Sequence, residues 1–184
     1  VLDLAGPDAI LLGHSYGALV TLGVALTRPP VGFILYEPPL PIDGPVGGDA
    51  LPAFEQAVHD GDLGHALTLG LRNFVRLPEA VIEAFRREAV WPVRASMTPT
   101  WAREIRAIDS FGHDLERFAA LTVPTLLVVG ELSPPWLTDI SRRLRQVMPN
   151  GDVVEMPGQA HDAYVTDPKA MAGAILAFAS KLTA

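Results

Sequence analysis

Gly13-His14-Ser15-Tyr16-Gly17 is the stretch of this chain whose residue types and spacing are best suited to chemistry. It has the pattern G-x-S-x-G, follows the apolar run Ala9-Ile10-Leu11-Leu12, and precedes a helical stretch from about Ala18 to Thr27. A serine at the tip of a strand-to-helix turn presents its hydroxyl, and small residues two positions either side let strand and helix approach. The Tyr16 N–H opens the helix and points at a developing oxyanion, where a helix N-terminus favours negative charge. Ser15 is therefore a candidate nucleophile, and a serine hydroxyl needs a general base. Of the five histidines, His161 lies in Met156-Pro157-Gly158-Gln159-Ala160-His161-Asp162, a loop between an apolar run and a helix. That loop leaves the same sheet edge as Ser15, which makes His161 the candidate base. His14 flanks the serine and is expected to point away from it. His59, His65 and His113 fall in a long helical segment and read as surface residues.

The elements that must position these groups can be read from the apolar runs. Val31–Tyr36, Val123–Val129 and Val153–Met156 join the run before Ser15 as strands, each closed by proline or glycine. Continuous apolar strands separated by helices imply a parallel sheet covered on both faces. Connecting helices are expected from about Leu137 to Val147 and from Pro168 to Leu182, the latter marked by Met171, Ile175, Phe178 and Leu182 at helical spacing. The stretch from about Ile42 to Ala120 is too long for a simple crossover. It reads as short helices (Leu51–Val58, Leu63–Val75, Glu79–Val90 and Thr100–Ile108) punctuated by Gly61, Pro78, Pro92 and Pro99. An insertion there is expected over the C-terminal strand ends, where such sheets bind ligands.

Composition narrows the classes. With 184 residues, 49% of them apolar and 19% charged, the chain can bury a core. A formal net charge of −7 without a Lys/Arg cluster argues against nucleic acid or anionic membrane as a partner. There is no cysteine, hence no disulfide framework or thiolate metal site, and a cytoplasmic location is expected. No apolar run approaches the ~18 residues of a membrane span. No leader is visible at Val1, and the chain starts as though cut from a longer sequence.

With these residues in place, the chain resembles the α/β-hydrolase superfamily, from the family's elbow strand at Ser15 to its C-terminal helix. The run Glu116–Gly130 is similar to the family's approach to its seventh strand. The resemblance implies an α/β fold: a mostly parallel sheet of about four strands with flanking helices, core segments 1–41 and 121–184, and a helical cap at 42–120. It also implies the chain order nucleophile, acid, histidine. The family usually carries aspartate three residues past the glycine that ends the seventh strand, and here that position is Ser133. Glu37, directly after the second strand, is the substitute it favours, with Glu131 and Asp139 as alternatives and Asp162 as local structure. The family's first four strands and its other oxyanion donor have no counterpart here. The fold is thus N-terminally truncated, leaving the elbow strand as an apolar edge open to self-association.

The activity so implied is a serine-dependent hydrolase acting on a small ester-like substrate through an acyl-enzyme, without metal or organic cofactor. Trp91, Met97 and Trp101 are candidate pocket walls, or equally cap packing. Cleavage of C–C bonds or lactones, perhydrolysis, or non-catalytic binding of small molecules on the same scaffold are the alternatives.

Overall fold

The computed structural model describes residues 3, 6 and 8–182. The chain divides into two compact units, one made of residues up to 39 and from 114 onward, the other of Leu40–His113. Among the described residues, four strands lie in the first unit: β1 Ile10–His14, β2 Gly32–Tyr36, β3 Thr125–Gly130 and β4 Gly151–Met156. From Tyr16 onward the helices in chain order are α1 Tyr16–Thr27, α2 Leu51–His59, α3 Leu63–Asn73, α4 Glu79–Arg86 and α5 Trp91–Ser96. They continue as α6 Trp101–Ser110, α7 Pro135–Val147, α8 Ala163–Thr166 and α9 Pro168–Leu182.

The sheet order is β1-β2-β3-β4 and every pairing is parallel, as the apolar runs imply. The two central strands are buried at every residue, because helices cover both faces. Successive side chains alternate between faces. Ile34, Tyr36, Leu126 and Val128 therefore pack on one side with Met171 and Phe178 of α9. Phe33, Leu35, Leu127 and Val129 are buried on the other, and α1 packs on β1 and β2 while α7 packs on β3 and β4. Register matters most for the site: His14 pairs with Tyr36, and Tyr36 with Val128. Ser15 and Glu37, one residue past their strands, consequently emerge at the same level of neighbouring strands, ~4.8 Å apart in a sheet.

The second unit is helical, with Leu67, Leu71, Ile82 and Ala95 as its buried centre. It spans Leu40–His113. The short 3₁₀ turn Glu116–Phe118 packs on α7, and Phe118 is fully buried. Two local expectations differ. The helix expected to reach Val90 stops at Arg86, and α5 begins separately at Trp91 with Pro92 in its first turn, a position proline tolerates. α7 starts at Pro135 for the same reason, before the expected Leu137.

Candidate active site

Ser15 sits between β1 and α1 with φ 53°, a left-handed backbone that is unfavourable for any residue but glycine. Its backbone N–H donates to the Tyr36 carbonyl at 2.8 Å, so β2 holds the turn. The hydroxyl makes no capping bond to α1 and stays available. Tyr16 is the first residue of α1, so its N–H has no partner within the helix. Gly13 is needed as expected: an added Cβ would lie 2.4 Å from the Gly17 carbonyl oxygen and 2.6 Å from the Ala18 Cα. Gly17 differs from the expectation. A Cβ there meets nothing within 4 Å among the described residues, so close packing does not demand glycine at that position.

Glu37 follows β2 with φ 47°, a second left-handed non-glycine residue at the same sheet edge. It is completely buried. Oε2 lies 2.5 Å from His161 Nδ1, and Oε1 accepts the Gly130 N–H at 2.6 Å. A carboxylate only accepts, so Nδ1 carries the imidazole proton and the Nε2 lone pair is left to act as a base. A buried carboxylate needs this full set of partners. The Gly130 N–H is one of them, and the space there admits only glycine. A Cβ at that position would stand 2.6 Å from Ser133 Oγ and 2.7 Å from the Ala160 carbonyl oxygen.

Two further side chains reach the histidine loop, and the motif reading did not find them. His14 does not stand idle beside Ser15: its Nε2 lies 2.7 Å from the His161 carbonyl oxygen, and its ring centroid 4.4 Å from that of His161. Burial first, and then the neighbouring His161, push the His14 pKa down to about 4. Tyr36, fully buried, donates its hydroxyl hydrogen to the Ala160 carbonyl and accepts the Ala163 N–H at 3.2 Å. Burial raises its pKa, so the phenol keeps its proton. The available signal was position: each immediately precedes a residue of the proposed triad.

The remaining candidates are engaged elsewhere. Glu131 Oε2 accepts the Gly158 N–H at 2.6 Å, tying the loop after β3 to the loop after β4. Asp139 is exposed on α7 and pairs with Arg142. Asp162 is the residue before α8, and its carbonyl accepts from Val165 and Thr166. Ser133 is buried, with an Oγ that has no hydrogen-bond partner in the structure. His59, His65 and His113 are exposed residues of the second unit. In that unit Trp101 stacks on Phe54 at 6.3 Å, Trp91 packs on the Leu67 cluster, and Met97 is exposed.

Among the described residues, no three His, Asp or Glu side chains gather into a metal-binding group, and no helix is long and apolar enough to cross a membrane. The Alpha/beta hydrolase family model matches residues 1–174. The chain belongs to the alpha/beta hydrolase family.

Solved structures agree with the fold. An alpha/beta hydrolase from Sphaerobacter thermophilus superposes with a TM-score of 0.84 at 26% identity, covering 96% of this chain and 69% of that one. A thermophilic esterase from Thermogutta terrifontis gives 0.69 at 22% identity, covering 98% and 67%. MenH from S. aureus gives 0.65 at 20% identity, covering 96% and 70%. No curated protein sequence matches the chain significantly.

Proposed function

We propose that this hydrolase cleaves small carboxylic esters through an acyl-enzyme on Ser15, with His161 as general base and Glu37 as the acid that orients it. The observation that carries the reading is the buried Glu37 carboxylate 2.5 Å from His161 Nδ1, beside a strained, uncapped serine on the adjacent strand end. In the first half-reaction Ser15 Oγ attacks the acyl carbonyl while His161 Nε2 takes its proton. The Tyr16 N–H stabilises the tetrahedral oxyanion. Collapse expels the alcohol, protonated by His161. Water, deprotonated in turn by His161, then attacks the acyl-serine and releases the carboxylic acid and free Ser15. Every step uses one proton moved between Oγ, Nε2 and the leaving or attacking oxygen. Thermophilic esterases are among the solved structures that share this fold.

The experiment is active-site labelling with a fluorophosphonate, alongside hydrolysis of a short p-nitrophenyl ester. The parent is expected to be labelled and to turn over. Ser15→Ala and His161→Ala are expected to do neither while keeping the parent circular dichroism spectrum. Turnover by folded Ser15→Ala within about tenfold of the parent would rule out the nucleophile, since an interaction essential to the transition state is worth far more.

A further inference from the structure

Glu37 fixes one atom of the His161 ring, and a single hydrogen bond leaves the ring free to swing about it. The loop that carries the ring leaves β4 through Gly158, at φ 68°, and is only partly buried from Gln159 to Asp162. A base on such a loop has to be held by something else, because its Nε2 must meet Ser15 within a few tenths of an ångström. Within four residues of this loop, three backbone groups are bound by side chains from the sheet. The His161 carbonyl accepts from His14, the Ala160 carbonyl accepts from Tyr36, and the Ala163 N–H donates to Tyr36. His14 ends β1 and immediately precedes Ser15, while Tyr36 ends β2 and immediately precedes Glu37. The two anchors are themselves paired in the sheet register and lie 5.0 Å apart between ring centroids.

We propose that His14 is a positioning residue for the general base: by donating Nε2–H to the His161 carbonyl and packing against its ring, it registers the base loop to the nucleophile next to it in sequence. The proposal rests on the assignment of Ser15 and His161 made above. Tyr36 holds the flanking residues of the loop, so the same strand ends that carry nucleophile and acid also carry the two clamps on the base.

The residue type fits the task. A carbonyl only accepts, so the His14 tautomer is the one protonated at Nε2. The group must also stay neutral, because its ring centroid is 4.4 Å from that of His161, which gains a proton in each half-reaction. A lysine or arginine could donate to the carbonyl but would oppose that charge. The groups that face the His14 ring are His161, Tyr36 and Tyr164, with Glu37 and Asp162 acting through space. With its pKa near 4, His14 stays uncharged at neutral pH.

The test compares His14→Phe, which keeps an aromatic face but has no donor, with His14→Gln, whose amide N–H can reach a carbonyl. For ester hydrolysis, His14→Phe should lower kcat about ten- to hundredfold with KM within about twofold of the parent, as expected for misplacement of a catalytic group. His14→Gln should recover most of that loss. Nitrogen-15 spectra of the parent should show His14 protonated at Nε2 and unprotonated at Nδ1 at neutral pH. A parent kcat in His14→Phe, a loss that appears in KM, or the opposite His14 tautomer would each overturn the proposal. The spectra keep it testable should the variants fail to fold. Fluorophosphonate labelling separates the two levels. An unlabelled parent overturns the Ser15–His161 reading and this proposal with it, whereas His14→Phe labelled at the rate of a labelled parent overturns this proposal alone.

Discussion

Acidification should erode the stability of the parent faster than that of His14→Phe, and the structure sets the size of the difference. His14 has its pKa pushed down to about 4 in the folded chain, first by burial and then by His161. In the unfolded chain an imidazole returns to about 6.5. Above pH 6.5 neither state holds the proton and His14 contributes nothing to the pH dependence. Between 6.5 and about 4 the unfolded state binds the proton and the folded state does not, so stability falls as pH falls and levels off below the folded pKa. The full effect is on the order of 2–3 kcal/mol, toward the lower figure because the ring is only partly buried, and roughly two thirds of it is already lost at pH 5. At pH 7.5 the phenylalanine variant should be less stable by about 1 kcal/mol, having lost one hydrogen bond to a carbonyl. The two curves should therefore cross as the pH is lowered.

The assay is urea unfolding followed by circular dichroism at several pH values from 7.5 to 5, with equal m-values required of parent and variant. His161, Glu37, Asp162, Tyr36 and Tyr164, the groups around the ring, are present in both proteins, so the difference between the two reports His14 together with its coupling to His161. A gap between parent and variant that stays constant to within about 0.5 kcal/mol over this range would mean that His14 titrates alike folded and unfolded, against the linkage expectation. His14 would then have no bias toward the neutral donor form in the folded chain.

Gly130→Ala should lower thermal stability, by about 1–3 kcal/mol on the scale of overpacking, and slow fluorophosphonate labelling, because the new Cβ meets the Ala160 carbonyl oxygen at 2.7 Å. Differential scanning calorimetry and labelling rates check it, and a parent-like variant would refute the close approach. The 184-residue chain by itself should self-associate through β1, which pairs only with β2 among the described residues and has Leu12 at 45% exposure. Light scattering at tens of micromolar, roughly the range in which unpaired edges associate, should show oligomers that Leu12→Lys diminishes, and a clean parent monomer would refute the idea.

Much of the sheet was legible because its signals are local. Four apolar runs, each closed by proline or glycine, gave four strands, and a serine between two such signals fell at the expected turn. The elements that escaped are those whose signals are short or shared. α5 is a six-residue helix whose first turn contains Pro92, and proline reads more readily as an end than as a beginning. β4 begins at Gly151, not Val153, because pairing with Thr125 and not side-chain hydrophobicity decides its start. In the site, Ser15 and His161 carry motif and position. His14 and Tyr36 act through backbone carbonyls of a loop more than 120 residues away, and no spacing in the sequence encodes such a contact. Glu37 was reached through the family resemblance, as the carboxylate that directly follows the second strand. Its left-handed backbone and its bond to Gly130 belong to the folded chain alone.

The acid offers the sharpest remaining test, since Glu37 stands just past β2 whereas the family resemblance places the acid after β3. Glu37 does not reach His161 alone. Its other oxygen takes the N–H of Gly130, the last residue of β3, so the carboxylate sits where the ends of β2 and β3 meet. Ser133 is one turn further along that same strand exit, buried, and its Oγ and the Ala160 carbonyl oxygen lie 2.6 and 2.7 Å from the point where a Gly130 Cβ would be. Two sequence positions thus converge on the histidine loop from adjacent strands. Glu37→Gln should reduce ester turnover by up to about four orders of magnitude without unfolding the chain, because an amide cannot stabilise the imidazolium and can hold the wrong tautomer. Adding Ser133→Asp to that variant should restore part of the lost kcat, since a carboxylate returns near the same loop from the neighbouring strand. Asp139→Asn, on an exposed α7 residue paired with Arg142, serves as the control and should behave as the parent. The measurement is steady-state kcat for all four proteins at one pH, with circular dichroism to confirm folding. Parent-like turnover by Glu37→Gln would remove Glu37 from the triad. A dead Glu37→Gln that Ser133→Asp leaves unchanged would mean that proximity to the loop is not enough, and that the buried Gly130 N–H contact is what makes the carboxylate effective.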